Sequence, residues 1–332
     1  MRLFFLPDRF VLMAVFTLTA LLAAFAFGPY PLSPGDVLRA LRAGPWAEND
    51  TAVVVWNLRL PRIAAGFLIG AALSAAGAAY QGMFRNPLVS PDILGVSAGA
   101  GLGAALAILM GFSLLWVQGL AFCGGLLAVG TVYFVAGLVR RHDPVLVLVL
   151  AGVAVGTLFS AGISLAKVLA DPSVQLPSIT FWLLGGLNAV TTGDLALAAP
   201  LVVAGLLPML LLRWRVNLLS LSDEEAAALG VNVSRLRATL IVCATLMTAA
   251  AVAVAGIVGW VGLVVPHAAR LLVGPEFSRL LPAVLLLGGG FVIAADTLAR
   301  SATAIELPLG ILTALVGAPV FLVLLARSGR TT

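Results

Sequence analysis

Ten long apolar runs, each closed by polar residues or by glycine and proline, constrain this chain more than any other feature. They lie near residues 10–28, 60–80, 93–111, 114–138, 145–166, 191–212, 236–256, 258–272, 281–299 and 307–326. About 20 mostly apolar residues suffice for a helix to cross the hydrocarbon core of a bilayer. The 332 residues are 61% apolar and 10% charged, well under half the charge of an ordinary soluble domain. A water-soluble globule is excluded. The expected fold is an all-α integral membrane protein with about ten transmembrane helices, forming a single domain over residues 1–332.

The net charge of +5, from 19 basic and 14 acidic residues, raises the question of nucleic acid. The basic residues fall singly or in pairs between apolar runs rather than in a patch, so they read as orienting charges and no nucleic-acid partner is expected. With the N-terminus in the cytoplasm, thirteen basic residues lie inside and six outside: Arg39, Arg42, Arg59, Arg62, Lys167 and Arg300. The positive-inside rule then places both termini in the cytoplasm. Merging the seventh and eighth runs, which are nearly continuous from Ala250 to Val265, would put Arg327 and Arg330 outside; Gly256, Gly259 and Gly262 mark the turn that keeps the count at ten. Arg2, Arg9 and an Ala24-Phe25-Ala26 sequence imitate a signal peptide, but the first run is long enough to be a retained span. Lys167, the one lysine, precedes Val168. A phosphate-cradling loop needs Gly-Lys-Ser/Thr, so any ATP that drives this chain is bound by another subunit. Cys123 and Cys243 stand alone in apolar spans, and no cluster of ligand-type residues suggests a metal.

The two halves echo each other. Gly82-Met83-Phe84-Arg85-Asn86-Pro87, running on to Gly95, follows the second span; Gly262-Leu263-Val264-Val265-Pro266-His267, running on to Gly274, follows the seventh. Five spans separate them, an odd number, so the repeat is inverted in the membrane as in many transporters. Glycines four residues apart (66 and 70; 95, 99 and 103; 152 and 156) suit close helix packing.

Two polar stretches stand out. Ser222-Asp223-Glu224-Glu225 followed by three alanines, Leu229 and Gly230 spells a capping box, helix-forming residues and a C-terminal glycine. It specifies a cytoplasmic helix of about two turns, roughly 10 Å long, which is either a solvated surface helix or a rigid element that receives a push from a soluble partner. On the outer face, Arg59, Arg62 and Arg300 either snorkel to lipid headgroups or offer forks to carboxylates of a partner.

Several segments together resemble the permease subunits of type II ABC importers, which take up iron siderophores, haem and vitamin B12. They are Leu58-Arg59-Leu60-Pro61-Arg62, the Gly82 to Leu88 turn running into Leu94 to Ala100, Phe181 to Gly186, the Glu225 to Gly230 helix, Gly262 to His267, Ala295 to Arg300, and Glu306 to Gly310 with Gly317-Ala318-Pro319. The likeness covers residues 50–330. It implies two copies of this chain around one path, two cytoplasmic ATPase subunits carrying ATP and Mg, an extracytoplasmic substrate-binding protein, and the inner membrane of a bacterium. It implies no cofactor in this chain and no catalytic residue. By the same resemblance Arg59, Arg62 and Arg300 are docking positions for the binding protein. Ser222, Asp223, Glu224, Glu225, Ala226, Leu229 and Gly230 form the helix coupled to the ATPase. Asn86 and Leu88, with His142 and Asp143 in the Arg141 to Pro144 turn, form an inner gate, and Phe181 to Leu187 a short outer helix.

Rival readings lack their chemistry. An ion-driven transporter normally carries ionisable groups at span centres, and none is predicted there; a membrane enzyme would need a nucleophile, base or metal constellation. His267 is expected to make a structural hydrogen bond, and Asp296 and Glu306 to pair with Arg300. Ferric siderophore or haem leads as cargo, with cobalamin and oxyanions such as molybdate open.

Overall fold

The computed structural model describes residues 6–47, 49–139, 144–303 and 305–328, and the described residues contain helices and no strand. In chain order the helices are α1 (Leu6–Ala26), α2 (Pro34–Ala43), α3 (Asp50–Val53), α4 (Leu60–Met83), α5 (Val96–Leu109), α6 (Leu114–Leu138) and α7 (Pro144–Leu169). There follow α8 (Gln175–Leu184), α9 (Thr192–Val216), α10 (Asp223–Ala228), α11 (Val233–Ala255), α12 (Val261–Val273), α13 (Phe277–Ser301) and α14 (Leu309–Ser328). Seven described segments are long and apolar enough to cross a membrane, and shorter apolar helices account for α5, α12 and α14. All ten apolar runs of the sequence are therefore helical.

The core is built around α4, which sits against α9, α11, α12 and α13. Its alanines and glycines allow this: Ala65, Ala72, Ala75, Ala76, Ala78 and Ala79 are all buried. A Cβ on Gly77 would fall 1.9 Å from the Gly262 carbonyl oxygen on α12, and one on Gly70 would fall 2.1 Å from that of Gly288 on α13. Backbone thus lies directly on backbone, which supplies dispersion contact where lipid offers no hydrophobic drive between helices. Gly99 and Gly103 serve α5 against α6 in the same way. On the outer helices large side chains such as Leu127, Phe134, Leu158 and Leu211 are exposed.

The weakest boundary in the sequence is the one with the most unusual backbone. Between α11 and α12 the chain leaves helix over residues 256–260, and Gly256 (φ 66°) and the non-glycine Trp260 (φ 70°) both take left-handed dihedrals. Gly262, just after this break, packs against Pro91 and the Leu73 carbonyl. Leu73 lies ten residues before the end of α4, about 15 Å along a helix. The segment after α4 has therefore turned back into the membrane before α5 begins, and α5 and α12 are both short because both start part-way across. They follow α4 and α11, the helices that head the two inverted halves.

Three elements differ from the sequence expectation. α2 and α3 lie between the first two spans, and α3 runs through a π-helical turn, Val54–Arg59, into α4. The outer helix occupies Gln175–Leu184 rather than 181–187. It starts early because Asp171 Oδ1 accepts the Ser173 and Val174 N–H groups at 2.9 Å each, and it stops at Gly185, whose φ of 70° ends the helix.

Candidate functional site

The outer arginines are buried. Arg59 is 4% exposed and Arg300 7%. Arg59 donates to the carbonyls of Phe25 and Tyr30, and Arg300 Nη2 donates to the Ala24 carbonyl at 2.5 Å. Ala24 and Phe25 belong to the last turn of α1, where carbonyls lack intrahelical partners and the helix dipole is negative. Two cations, one from the π-helical turn that leads into α4 and one from α13, therefore cap the outer end of α1. Arg62 is held differently: its Nε donates to Asp296 Oδ2 at 2.8 Å and Oδ1 at 3.0 Å, its Nη2 to Oδ1 at 2.7 Å, and also to Glu306. Asp296 also lies 3.6 Å from Arg300 Nε. The expected outward forks are thus a correction for Arg59 and Arg300, which face inward because α1 ends beside them. Asp296 and Glu306, expected to serve Arg300, serve Arg62 first. Glu306, the more accessible member, also lines an outer cavity of about 460 Å³ with Phe181, Trp182, Gly185 and Leu307.

On the cytoplasmic side the short helix forms as its capping residues dictate. The Glu225 N–H donates to Ser222 Oγ at 3.2 Å, and the Ser222 N–H donates to Glu225 Oε2 at 2.9 Å. The Ser222 hydroxyl donates to the same Oε2 at 2.8 Å, and the bonds from the Ser222 backbone and hydroxyl to the Glu225 carboxyl hold it below the usual range. Gly230 closes the far end at φ 82°, its N–H bonded to Ala227 and that of Val231 to Ala226. Ala226 is buried, whereas Glu224, Ala227, Ala228 and Leu229 are exposed, so the helix rests on one alanine and presents its remaining surface to the cytoplasm. Asp223 points elsewhere. Its Oδ2 accepts Arg237 Nη1 at 2.6 Å and its Oδ1 accepts Arg237 Nη2 at 2.8 Å and Arg85 Nη2 at 3.0 Å. Arg237, then Arg85, keeps this carboxyl below its ordinary value.

Arg85 takes the left-handed conformation, φ 49°, and its Nε donates to the Leu219 carbonyl at 2.8 Å. Next to it, Asn86 Oδ1 accepts the Leu88 N–H at 2.9 Å, which closes a side-chain turn and leaves Leu88 exposed. Arg85 and Asn86 edge an inner cavity of about 690 Å³ shared with Gln81, Asn217 and Arg270. His142 and Asp143, the other half of the expected inner gate, lie outside the described residues.

Sequence reasoning missed Asp92. It precedes α5 in a single 3-10 turn, accepts a hydrogen bond from Ser97, and lines a cavity of about 230 Å³ with Thr248 and Trp260. The signal was its place beside proline at a span boundary, which hides how far into the membrane that boundary lies. His267 is buried with its ring 5.8 Å from Phe321, edge to face.

Among the described residues no three His, Cys, Asp or Glu side chains cluster as metal ligands. What the geometry offers is a cavity at each face, two half-length helices that begin part-way across, and a rigid knob exposed on one side.

Residues 15–327 match the FecCD transport family. A cobalamin import permease of Halobacterium salinarum is 47% identical over 88% of this chain and 79% of its own length. A molybdate import permease of Haemophilus influenzae is 39% identical over 95% and 96%, and an iron chelatin transport permease of Helicobacter pylori 42% over 84% of each. A solved structure described as an inward-facing metal-chelate type ABC transporter covers 97% of this chain and 99% of its own, at 36% identity and a TM-score of 0.88. With a helical membrane architecture that superposes on that structure throughout, and with the family's match running nearly from end to end, the chain belongs to the FecCD family of ABC importer permeases.

Proposed function

We propose that two copies of this chain form one import path across the bacterial inner membrane, driven by two ATPase subunits that bind ATP and Mg. An extracytoplasmic binding protein delivers the cargo, a ferric siderophore or haem. The observation that carries this reading is α10, a helix capped at both ends that buries one residue and exposes Glu224 and Leu229 between two spans, as a lever docked in a soluble partner requires. A single chain has too few polar groups to line a wide pore, which favours a path between two-fold-related copies. Outside, Arg62 and Glu306 mark the surface on which the binding protein docks, with Arg59 and Arg300 bracing it from beneath. Inside, Asn86 and Leu88 form the gate.

A second cargo reading has its own support, since the relative at 47% identity is named for cobalamin. The test is to reconstitute the permease with an ATPase and a binding protein with which it assembles and to measure ATP-dependent uptake of ferric siderophore, haem, cobalamin and molybdate side by side. Saturable uptake of an iron chelate alone supports the first reading, and uptake of cobalamin alone the second. ATP-independent uptake, or a functional monomer, overturns the importer assembly itself.

A further inference from the structure

We propose that Asp223 is a positioning residue that ties the α10 lever to the inner gate, with Arg85 and Arg237 as the two ends of the tie. The inference rests on the lever reading above and adds to it the route by which the lever's movement reaches the membrane. α10 touches the spans through little apolar surface, since Ala226 is its one buried residue. Its firm connection is the Asp223 carboxylate, whose Oδ1 is shared by Arg237 Nη2 and Arg85 Nη2. Arg237 stands in the first turns of α11 and is only 14% exposed, so it anchors the carboxylate to a span. Arg85 belongs to the turn that ends α4, and its Nε is fixed to the Leu219 carbonyl at 2.8 Å. Immediately after it come Asn86 and Leu88, closed into one unit by the Asn86 side chain. A displacement of α10 therefore pulls on Arg85 and swings Leu88.

The chemistry suits a linkage that must break and re-form in each cycle. Arg85 is 41% exposed and Asp223 52%, and ion pairs so open to water contribute little to stability. Their directional fork–carboxylate geometry still fixes relative position. Arg85 serves both as a cation and as a fork, because its Nε on Leu219 and its Nη2 on Asp223 are two donor atoms held at a fixed spacing in one rigid plane.

The test uses the complete transporter, with ATPases and binding protein, in proteoliposomes. Uptake, ATP hydrolysis, subunit assembly and melting temperature are measured for Asp223→Asn, Arg85→Gly (which tolerates the left-handed backbone), Asp223→Glu and the double variant D223N/R85G. In D223N and R85G uptake falls at least fivefold more than hydrolysis, so more ATP is used per molecule moved. Asp223→Glu restores most of the ratio. The double variant is no worse than the worse single one, because both cut the same link. An unchanged ratio of uptake to hydrolysis, or independent losses that multiply in the double variant, overturns the proposal. Leu229→Asp separates this from failure of the lever reading: if ATPase assembly survives that change, α10 is not the docking element. If assembly is lost while D223N leaves the ratio intact, the lever stands and the tie does not.

Discussion

The protein uses one chemical device, arginines gathered around aspartate, at both ends of the membrane and in opposite ways. At the outer end Asp296 and Arg300 have side chains only 6% and 5% exposed, and Arg62 14%. At the inner end Arg85 and Asp223 are roughly half open to water. Burial sets what each cluster can do. Charges removed from water must be paired, and deleting one partner of a buried pair destabilises by about 3–5 kcal/mol. Exposed pairs are worth about 0–1 kcal/mol and separate readily. The outer cluster is a brace between α1, α4 and α13; the inner one is a coupling that yields.

Asp296→Ala breaks the contrast at its strongest point. It strands Arg62 and Arg300 with only Glu306 to offset them, and an effect of about 3–5 kcal/mol is expected. The measurement is thermal unfolding of the purified permease in detergent, beside Asp223→Ala. A fall no larger than that of the inner variant would show that water reaches the outer cluster.

Arg59→Met tests the second part of the brace. The methionine fills similar space, but the carbonyls of Phe25 and Tyr30 lose their donor, at about 1–3 kcal/mol for an unsatisfied buried group. Faster proteolysis at the outer end of α1 is the expected local sign. Equal stability of the variant and the parent would mean that water or lipid replaces the guanidinium.

These roles mark the limit of what the sequence shows. The ten apolar runs predict the ten apolar helices because span length and hydropathy are local properties, and Ser222, Glu225 and Gly230 predict α10 because capping is local too. The break at 256–260 is signalled only by spaced glycines, and Trp260, which no propensity places at positive φ, is invisible in advance. Arg59 and Arg300 read as surface forks because the carbonyls that take them lie on the last turn of α1 and just beyond it, about thirty residues away in sequence for Arg59 and far more for Arg300. Burial of a charge is a tertiary fact. Asp223 was legible as part of a lever, but its turn inward toward Arg85 depends on the end of α4, 138 residues earlier.

Weaker changes sharpen the contrast at its margins. Replacing Ala227 and Ala228 by glycine takes about 1 kcal/mol of helix propensity per position from α10 while removing little contact. ATP hydrolysis should then persist as uptake falls, because a softened lever follows the ATPase without moving the spans. Loss of subunit assembly instead would assign the segment to docking alone. Glu306→Gln removes the accessible partner of Arg62 and leaves Asp296 in place, so stability should change by under about 1 kcal/mol. Binding-protein affinity at low salt should rise, since Arg62 has one internal competitor fewer. Unchanged affinity would remove Arg62 from the docking surface.

The smallest effect expected is one of pH, and it separates the two ends without a mutation in the outer one. Asp223 and Glu225 both titrate below their ordinary range, the first chiefly through Arg237 and the second through the Ser222 backbone and hydroxyl. A carboxylate whose folded-state pKa is depressed stabilises the fold fully above its unfolded value and loses that contribution as pH falls through the folded value. Unfolded aspartate and glutamate titrate near 3.9 and 4.3, so α10 should be equally firm from about pH 7 to pH 5 and loosen only below about pH 4. Amide exchange of Ala226 to Gly230 in the isolated permease, corrected for intrinsic rates, reads this directly. Glu225→Gln keeps a capping partner for Ser222 but carries no charge to lose, so at neutral pH the helix should already lack the charge-dependent share of Glu225, and the acid-side loss that remains is that of Asp223. If protection already declines between pH 7 and pH 6, neither carboxylate holds the helix and the capping argument for a rigid lever fails.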